Sequence, residues 1–171
     1  MAPRRRLVLI GWVAAMLLHG LAPAAAQEVD PPVAATILVE KAARRLTLLD
    51  SAGAPLRIYR GIALGGAPVG PKRFEGDRRT PEGRYVIDRG NTDSAYHLSL
   101  HVSYPDSEDR ARAAAAGKSP GGLIFLHGQP NGFGKTRIAG DWTDGCIALS
   151  NAEIEEIWTM VADGTPIEIR P

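Results

Sequence analysis

The chain has 171 residues, 44% of them hydrophobic, enough to bury one sizeable core. Its 20 Lys and Arg are offset by 19 Asp and Glu, a net charge of +1. The basic residues are scattered along the chain rather than clustered, which argues against nucleic acid as a partner. Cys146 is the only cysteine, so no disulfide framework can staple the fold.

Residues 1–26 read as a targeting segment. Arg4-Arg5-Arg6 supply a positive start, Leu7 to Leu21 an apolar stretch, and Ala24-Ala25-Ala26 a small-residue exit. This predicts an exported chain cleaved after Ala26. An uncleaved inner-membrane anchor is the alternative, because residues 7–26 approach the roughly 20 needed to span a bilayer. His19, Gly20 and Pro23 weigh against the anchor. Exported proteins usually hold cysteines as disulfides, so one unpaired thiol is an intermolecular link, a buried small hydrophobe or a reactive group. The polar turn Thr143-Asp144-Gly145 before Cys146 favours the reactive group.

Residues 27–35 form a Pro- and Ala-rich linker. Thr36–Glu40, Arg45–Asp50 and Leu56–Leu64 read as short strands, the last with Ile58, Ile62 and Leu64 on one face. Turns between them argue for antiparallel pairing. Residues 65–80, rich in Gly, Pro and charge, make a loop of a length that is usually functional or disordered. A strand follows at Arg84–Asp88. His97–Val102 alternates, with Leu98, Leu100 and Val102 on one face and His97, Ser99 and His101 on the other. Ser107–Gly117 reads as a helix with Ser107 as N-cap and a glycine stop. Leu123–Leu126 is an unbroken apolar run, an inner strand. After Cys146 come a brief apolar segment, Ile147–Leu149, and a capping box, Ser150 and Glu153. Ile154, Ile157, Trp158 and Val161 then form one apolar helix stripe, which makes Trp158 a core residue. Ile167–Arg170 closes the chain as a strand. There is no repeat and no second domain: residues 36–171 read as one mainly β, α+β domain with a few short helices.

His127 ends the inner strand. A loop containing Gly128, Gly132, Gly134, Gly140 and Gly145 returns the chain to Cys146. A histidine at a strand end facing a thiol on a glycine turn is a plausible nucleophile pair. A histidine within hydrogen-bond reach would depress the thiol pKa from about 8.5 to roughly 3.5–7.5. Gly145 allows the tight turn that aims backbone N–H groups at a developing oxyanion, each worth about 10²–10³ in rate. His127 also needs an acceptor for its other nitrogen, and the Gly128 carbonyl is a candidate. A metal set built from His97, His101, His127 and Cys146 is disfavoured. His97 and His101 lie roughly 13 Å apart on a strand at about 3.3 Å per residue, whereas zinc takes three or four converging ligands. No metal and no cofactor are therefore expected. Arg78 and Arg79 lie in the long loop, and guanidinium forks match carboxylates; Arg79 is the candidate for substrate contact. Trp142 reads equally as a cleft wall and as a packing residue.

The stretch His127, residues 128–142, then Thr143-Asp144-Gly145-Cys146 resembles the L,D-transpeptidase catalytic domain (YkuD type), whose motif is a histidine, a loop and [Ser/Thr]-His-Gly-Cys. Upstream, Gly65, Gly70-Pro71-Lys72 and Gly76-Asp77-Arg78-Arg79-Thr80-Pro81-Glu82-Gly83 resemble that family's G…GPK…GD.RTP.G segment. The run Asp141–Leu149 is similar to a periplasmic subgroup. Two positions depart from the pattern: Asp144 stands where a histidine is usual, and Ala148 where Arg or Asn is frequent. The resemblance implies a single-domain, β-sandwich-like fold, a periplasmic location, and a monomer acting on peptidoglycan stem peptides. It implies Cys146 as nucleophile, His127 as proton carrier, Thr143 and Asp144 at positions that hold substrate, and His97 on a strand that lies near the substrate, lining the cleft. Transfer to an amine acceptor is the expected reaction. Hydrolysis of peptidoglycan peptide or lipoprotein–peptidoglycan bonds is the alternative, which would add an outer-membrane lipoprotein as partner. A non-catalytic wall-binding module is a third reading.

Overall fold

The computed structural model describes residues 32–134 and 136–171. The targeting segment and the first half of the linker, to residue 31, lie outside the described residues. The strands are β1 Thr36–Glu40, β2 Arg45–Leu49, β3 Pro55–Arg60, β4 Gly83–Ser94, β5 His97–Val102, β6 Ile124–His127, β7 Ile147–Ala148 and β8 Pro166–Arg170. Two helices join them, α1 Ser107–Ala115 and α2 Asn151–Met160.

The eight strands form one hydrogen-bonded sheet in the order β3-β2-β1-β8-β4-β5-β6-β7. β4 links its halves. Gly83–Val86 pair with β8, whereas Ile87–Ser94 pair with β5 through two register shifts. Such bulges bend a strand and sharpen its twist, so β4 carries the sheet from one half to the other. Past β3, Ala63 and Ala148 exchange two backbone hydrogen bonds of 2.9 Å, and Gly65 bridges Thr143. The two ends of the sheet are thus stitched together. The mainly β, sandwich-like expectation holds, with two halves of one sheet joined through β4 around a shared core.

That core joins Ile37, Val39, Leu46 and Leu48 from one half to Leu100, Val102 and Leu126 from the other, with Ile154 and Ile157 of α2. Each such side chain contributes roughly 1.5–3 kcal/mol on burial. An exposed pair such as Arg57–Glu156 is screened by solvent and contributes little beside it. The apolar core, not the surface charge, decides the frame.

Several expectations shift. β3 stops at Arg60 because Gly61 adopts φ +67°. The single face proposed for Ile58, Ile62 and Leu64 is therefore broken: Ile58 is exposed, whereas Tyr59, Ile62 and Leu64 are buried. On β5, Ser99 and His101 are buried along with Leu100 and Val102: Ser99 lies opposite His127, and His101 is held by Asp88 and lies edge-on to Phe125. The N-cap of α1 is Asp106 rather than Ser107, and Asp109 completes its capping box. The Ser150–Glu153 box on α2 forms as read. Trp158 packs on the core, seated on Gly90, where a Cβ would come within 2.4 Å of the indole.

The loop between β3 and β4 is held by two buried ion pairs. Lys41 Nζ donates to Gly70 O (2.7 Å), Thr80 O (3.0 Å) and Glu82 Oε1 (2.8 Å). Burial pulls this lysine below its usual range, partly opposed by Glu82. Asp77 accepts from Lys72 Nζ and from the amides of Arg73, Phe74 and Arg79. Burial would raise its carboxyl, but those donors outweigh it and hold it below the usual carboxylate range. The loop is a built wall beside the returning turn at Thr143–Gly145.

Candidate active site

The separation of His127 and Cys146 follows from topology. β6 and β7 run parallel, with Leu126 opposite Ile147 and His127 opposite Ala148. Parallel neighbours cannot be joined by a tight hairpin and need a crossover of a dozen or more residues. The glycine-rich loop is that crossover, and it brings Cys146 back alongside the strand that ends in His127. Gln129 braces it, donating from Nε2 to Leu149 O (2.5 Å) and accepting from the Ile138 amide (2.9 Å).

Both side chains line one cleft of about 400 Å³ whose walls include Tyr96, Leu123, Phe125 and Trp142. That is within the size range of small-ligand sites. His127 is 4% exposed. Its Nδ1–H donates to Gly128 O at 2.7 Å, which leaves Nε2 as the lone-pair nitrogen. Its ring lies against Tyr96, centroids 4.7 Å apart, and meets Trp142 edge-on at 5.8 Å. Burial pushes the imidazole below its ordinary pKa, partly offset by the Gly128 carbonyl.

Cys146 is half-buried, and its Sγ–H donates to Leu123 O at 3.4 Å. Burial pushes the thiol up; the Phe125 backbone pulls it down, Asp144 adds to the rise and Lys72 opposes it. The expected depressed thiol is therefore corrected. Among the described residues no Cys146–His127 hydrogen bond forms, and burial dominates. Both shifts favour a neutral thiol beside a neutral imidazole. A thiol and an imidazole lone pair in one cleft are the parts of a nucleophile and base, and catalytic hydrogen bonds commonly tighten only with substrate bound.

Gly145 adopts φ +135°, and a Cβ there would lie 2.7 Å from Arg79 O. Its own N–H is taken by Thr143 Oγ1 (3.1 Å), so Gly145 shapes the turn rather than offering that amide to a ligand. Thr143 lines the cleft but is committed likewise: its hydroxyl donates to Cys146 O at 2.7 Å. Asp144 stands exposed on the cleft, 3.4 Å from Arg78 Nε. Trp142 unites its two readings as a cleft wall packed on His127, with a buried Nε1 that lacks a partner among the described residues.

Two candidates fall outside the cleft lining. The Arg79 guanidinium lies against Gly70, and only its carbonyl reaches the Gly145 turn. His97, at φ +66°, turns to Glu155 of α2, with Nε2 2.6 Å from Oε1. His101 is held by Asp88 at 2.7 Å and lies edge-on to Phe125. His97 and His101, considered as metal ligands, thus each face a different carboxylate, and no group of three His, Cys, Asp or Glu side chains converges among the described residues.

Tyr96, Leu123, Phe125 and Ser99 are cleft residues that sequence reasoning did not single out. Strand parity carried part of the signal. Phe125 is two residues before His127, and Ser99 pairs directly with His127 across the sheet, so all three share a face. Tyr96 had none: it arrives through the β4–β5 turn, where its carbonyl accepts the Gly128 amide at 3.0 Å.

Comparison with known proteins agrees with this geometry. YafK of Escherichia coli (strain K12), whose L,D-transpeptidase name is provisional, is 30% identical over 95 residues, 54% of this chain and 32% of YafK. The chain thus spans about a third of the length of that curated relative. The helical cell shape determining protein Pgp2 of Campylobacter jejuni shares the fold with a TM-score of 0.65 at 26% identity, over 84% of this chain and 52% of Pgp2. An L,D-transpeptidase of Xylanimonas cellulosilytica reaches 0.51 at 14% identity over 81% of this chain and 61% of its own, a likeness of fold alone. The profile of YkuD, the L,D-transpeptidase catalytic domain, matches residues 34–169. The chain belongs to the YkuD family of L,D-transpeptidase catalytic domains.

Proposed function

We propose that this protein is an exported, periplasmic, cysteine-dependent L,D-transpeptidase acting on peptidoglycan stem peptides, with a part in cell-wall remodelling and cell shape. One observation carries the reading: the chain's only cysteine shares a cleft with a buried imidazole whose tautomer the Gly128 carbonyl selects. In the proposed reaction, Cys146 Sγ attacks the carbonyl of the third stem residue as its proton passes to His127 Nε2. The C–N bond to the fourth residue breaks, and that proton leaves with the released amine. The amine of a second stem then attacks the thioester and gives its proton to the same nitrogen; the C–S bond breaks, and the departing Cys146 sulfur takes that proton back.

Incubation of the purified protein with disaccharide-tetrapeptide, followed by mass spectrometry, tests the reading. A 3→3 cross-linked dimer supports transfer. Disaccharide-tripeptide with free D-alanine replaces transfer by hydrolysis through the same thioester. No product and no carbapenem adduct on Cys146, with Cys146→Ala behaving like the wild type, overturns the enzyme.

A further inference from the structure

We infer that Arg78 and Asp144 form a charge pair at the cleft mouth that reads a free amino-acid centre, an ammonium and a carboxylate on one carbon, of the donor peptide. The inference rests on the stem-peptide reading above and names which end of that substrate the site selects.

The pair is made to exchange partners. Arg78 Nε and Asp144 Oδ1 are 3.4 Å apart, with side chains 55% and 92% exposed. An exposed ion pair at that distance contributes almost nothing net, so a ligand offering the opposite charges displaces it at little cost. Asp144 lines the cleft two residues from Cys146. A zwitterionic centre presents the matching arrangement, carboxylate to the guanidinium and ammonium to the aspartate. It replaces one weak internal pair by two charge-assisted hydrogen-bonded pairs, the stronger class. A ligand bearing only one charge would leave either Arg78 or Asp144 unmatched.

Arg78 is exposed yet seated by its backbone and by the glycines beneath it. Its φ is +55°, a left-handed conformation uncommon for a residue other than glycine. Its carbonyl accepts the Ala67 amide at 2.9 Å and presses on Gly65, where a Cβ would sit 2.3 Å from that oxygen. The guanidinium lies over Gly66: a Cβ there would meet Nη2 at 2.5 Å and Cζ at 2.8 Å. Gly66 in turn donates to Thr143 O at 3.0 Å, tying this seat to the turn that carries Asp144 and Cys146. Adjacent Arg79 has no such seat at the cleft.

The test compares a tetrapeptide whose third residue is a diamino acid, its side chain ending in a free ammonium and carboxylate on one carbon, with two analogues, one carboxamidated and one N-acetylated at that centre. Product is measured by mass spectrometry, and binding to Cys146→Ala by calorimetry. The wild type should process the zwitterion about tenfold better than either analogue, mostly through KM. Arg78→Gln should abolish the preference over the carboxamide, and Asp144→Asn the preference over the N-acetyl analogue. Gly66→Ala, which keeps the charge but fills the seat, should weaken the carboxamide preference too. Equal turnover of all three peptides by the wild type overturns the inference, as does an equal loss on all three in Arg78→Gln. If no peptide turns over, the reaction reading falls, and calorimetry decides: selective binding of the zwitterion upholds the pair, and indifferent or absent binding overturns it.

Discussion

Replacing Gly145 by alanine tests whether the active turn is held by close backbone packing. At φ +135°, an added Cβ would sit 2.7 Å from Arg79 O, a backbone atom with little freedom to retreat, and 3.2 Å from Ile124 Cδ1. Two effects add. The conformation costs roughly 1–3 kcal/mol for a residue with a side chain, and overpacking adds about 1–3 kcal/mol. Gly53 supplies the control: it sits at φ +81° with nothing within 4 Å of the place a Cβ would take, so Gly53→Ala bears conformational cost alone. Gly145→Ala should therefore lose about 1–3 kcal/mol more than Gly53→Ala. At about 2–4 °C per kcal/mol for a chain of this size, that is roughly 2–12 °C of extra Tm loss. Thermal unfolding followed by circular dichroism reads it, and thiol alkylation reports whether Cys146 has moved. Equal Tm values for the two variants would refute the packing argument.

Three further outcomes are expected. Lys41→Met leaves Glu82 and the carbonyls of Gly70 and Thr80 without their shared donor, and should cost about 3–5 kcal/mol in urea unfolding; a loss under about 1 kcal/mol would show that the pair does not hold the loop. Because burial raises the Cys146 thiol, its alkylation by iodoacetamide should speed up only at alkaline pH, above the ordinary thiol midpoint; a midpoint below about 7.5 would mean a preformed thiolate–imidazolium pair instead. His127 binds its proton less readily folded than unfolded, so its share of stability is intact above about pH 6.5 and is lost as pH falls toward the lowered folded value. His127→Gln should flatten that slope in denaturant titrations across this window, and wild-type kcat/KM should hold its plateau at about pH 6.5; an acid limb centred above about 6.5 would contradict the burial.

Much of this protein is written in local pattern. Most of the strands could be placed from apolar runs and alternation, and α2 from Ser150, Glu153 and the stripe at Ile154, Ile157 and Trp158. His127 and Cys146 stood out because a unique thiol and a strand-end histidine are rare enough to notice. Even the Gly128 carbonyl followed from asking what imidazole nitrogen lacked a partner. These properties depend on residues near one another in sequence, where side-chain period and capping chemistry act directly.

What surrounds those two residues was decided only by folding. Arg78 and Arg79 are neighbours of one type, yet a left-handed φ at Arg78 sends one guanidinium to Asp144 while the other lies on Gly70. His97 leaves the cleft because α2 brings Glu155 to it, and Tyr96 enters because the β4–β5 turn meets Gly128. The protonation of the pair changed sign for the same reason: a thiol's pKa answers to the solvent excluded around it and to the distance of its base. Neither quantity exists until the parallel β6–β7 crossover has closed and the Lys41-anchored loop has packed against it.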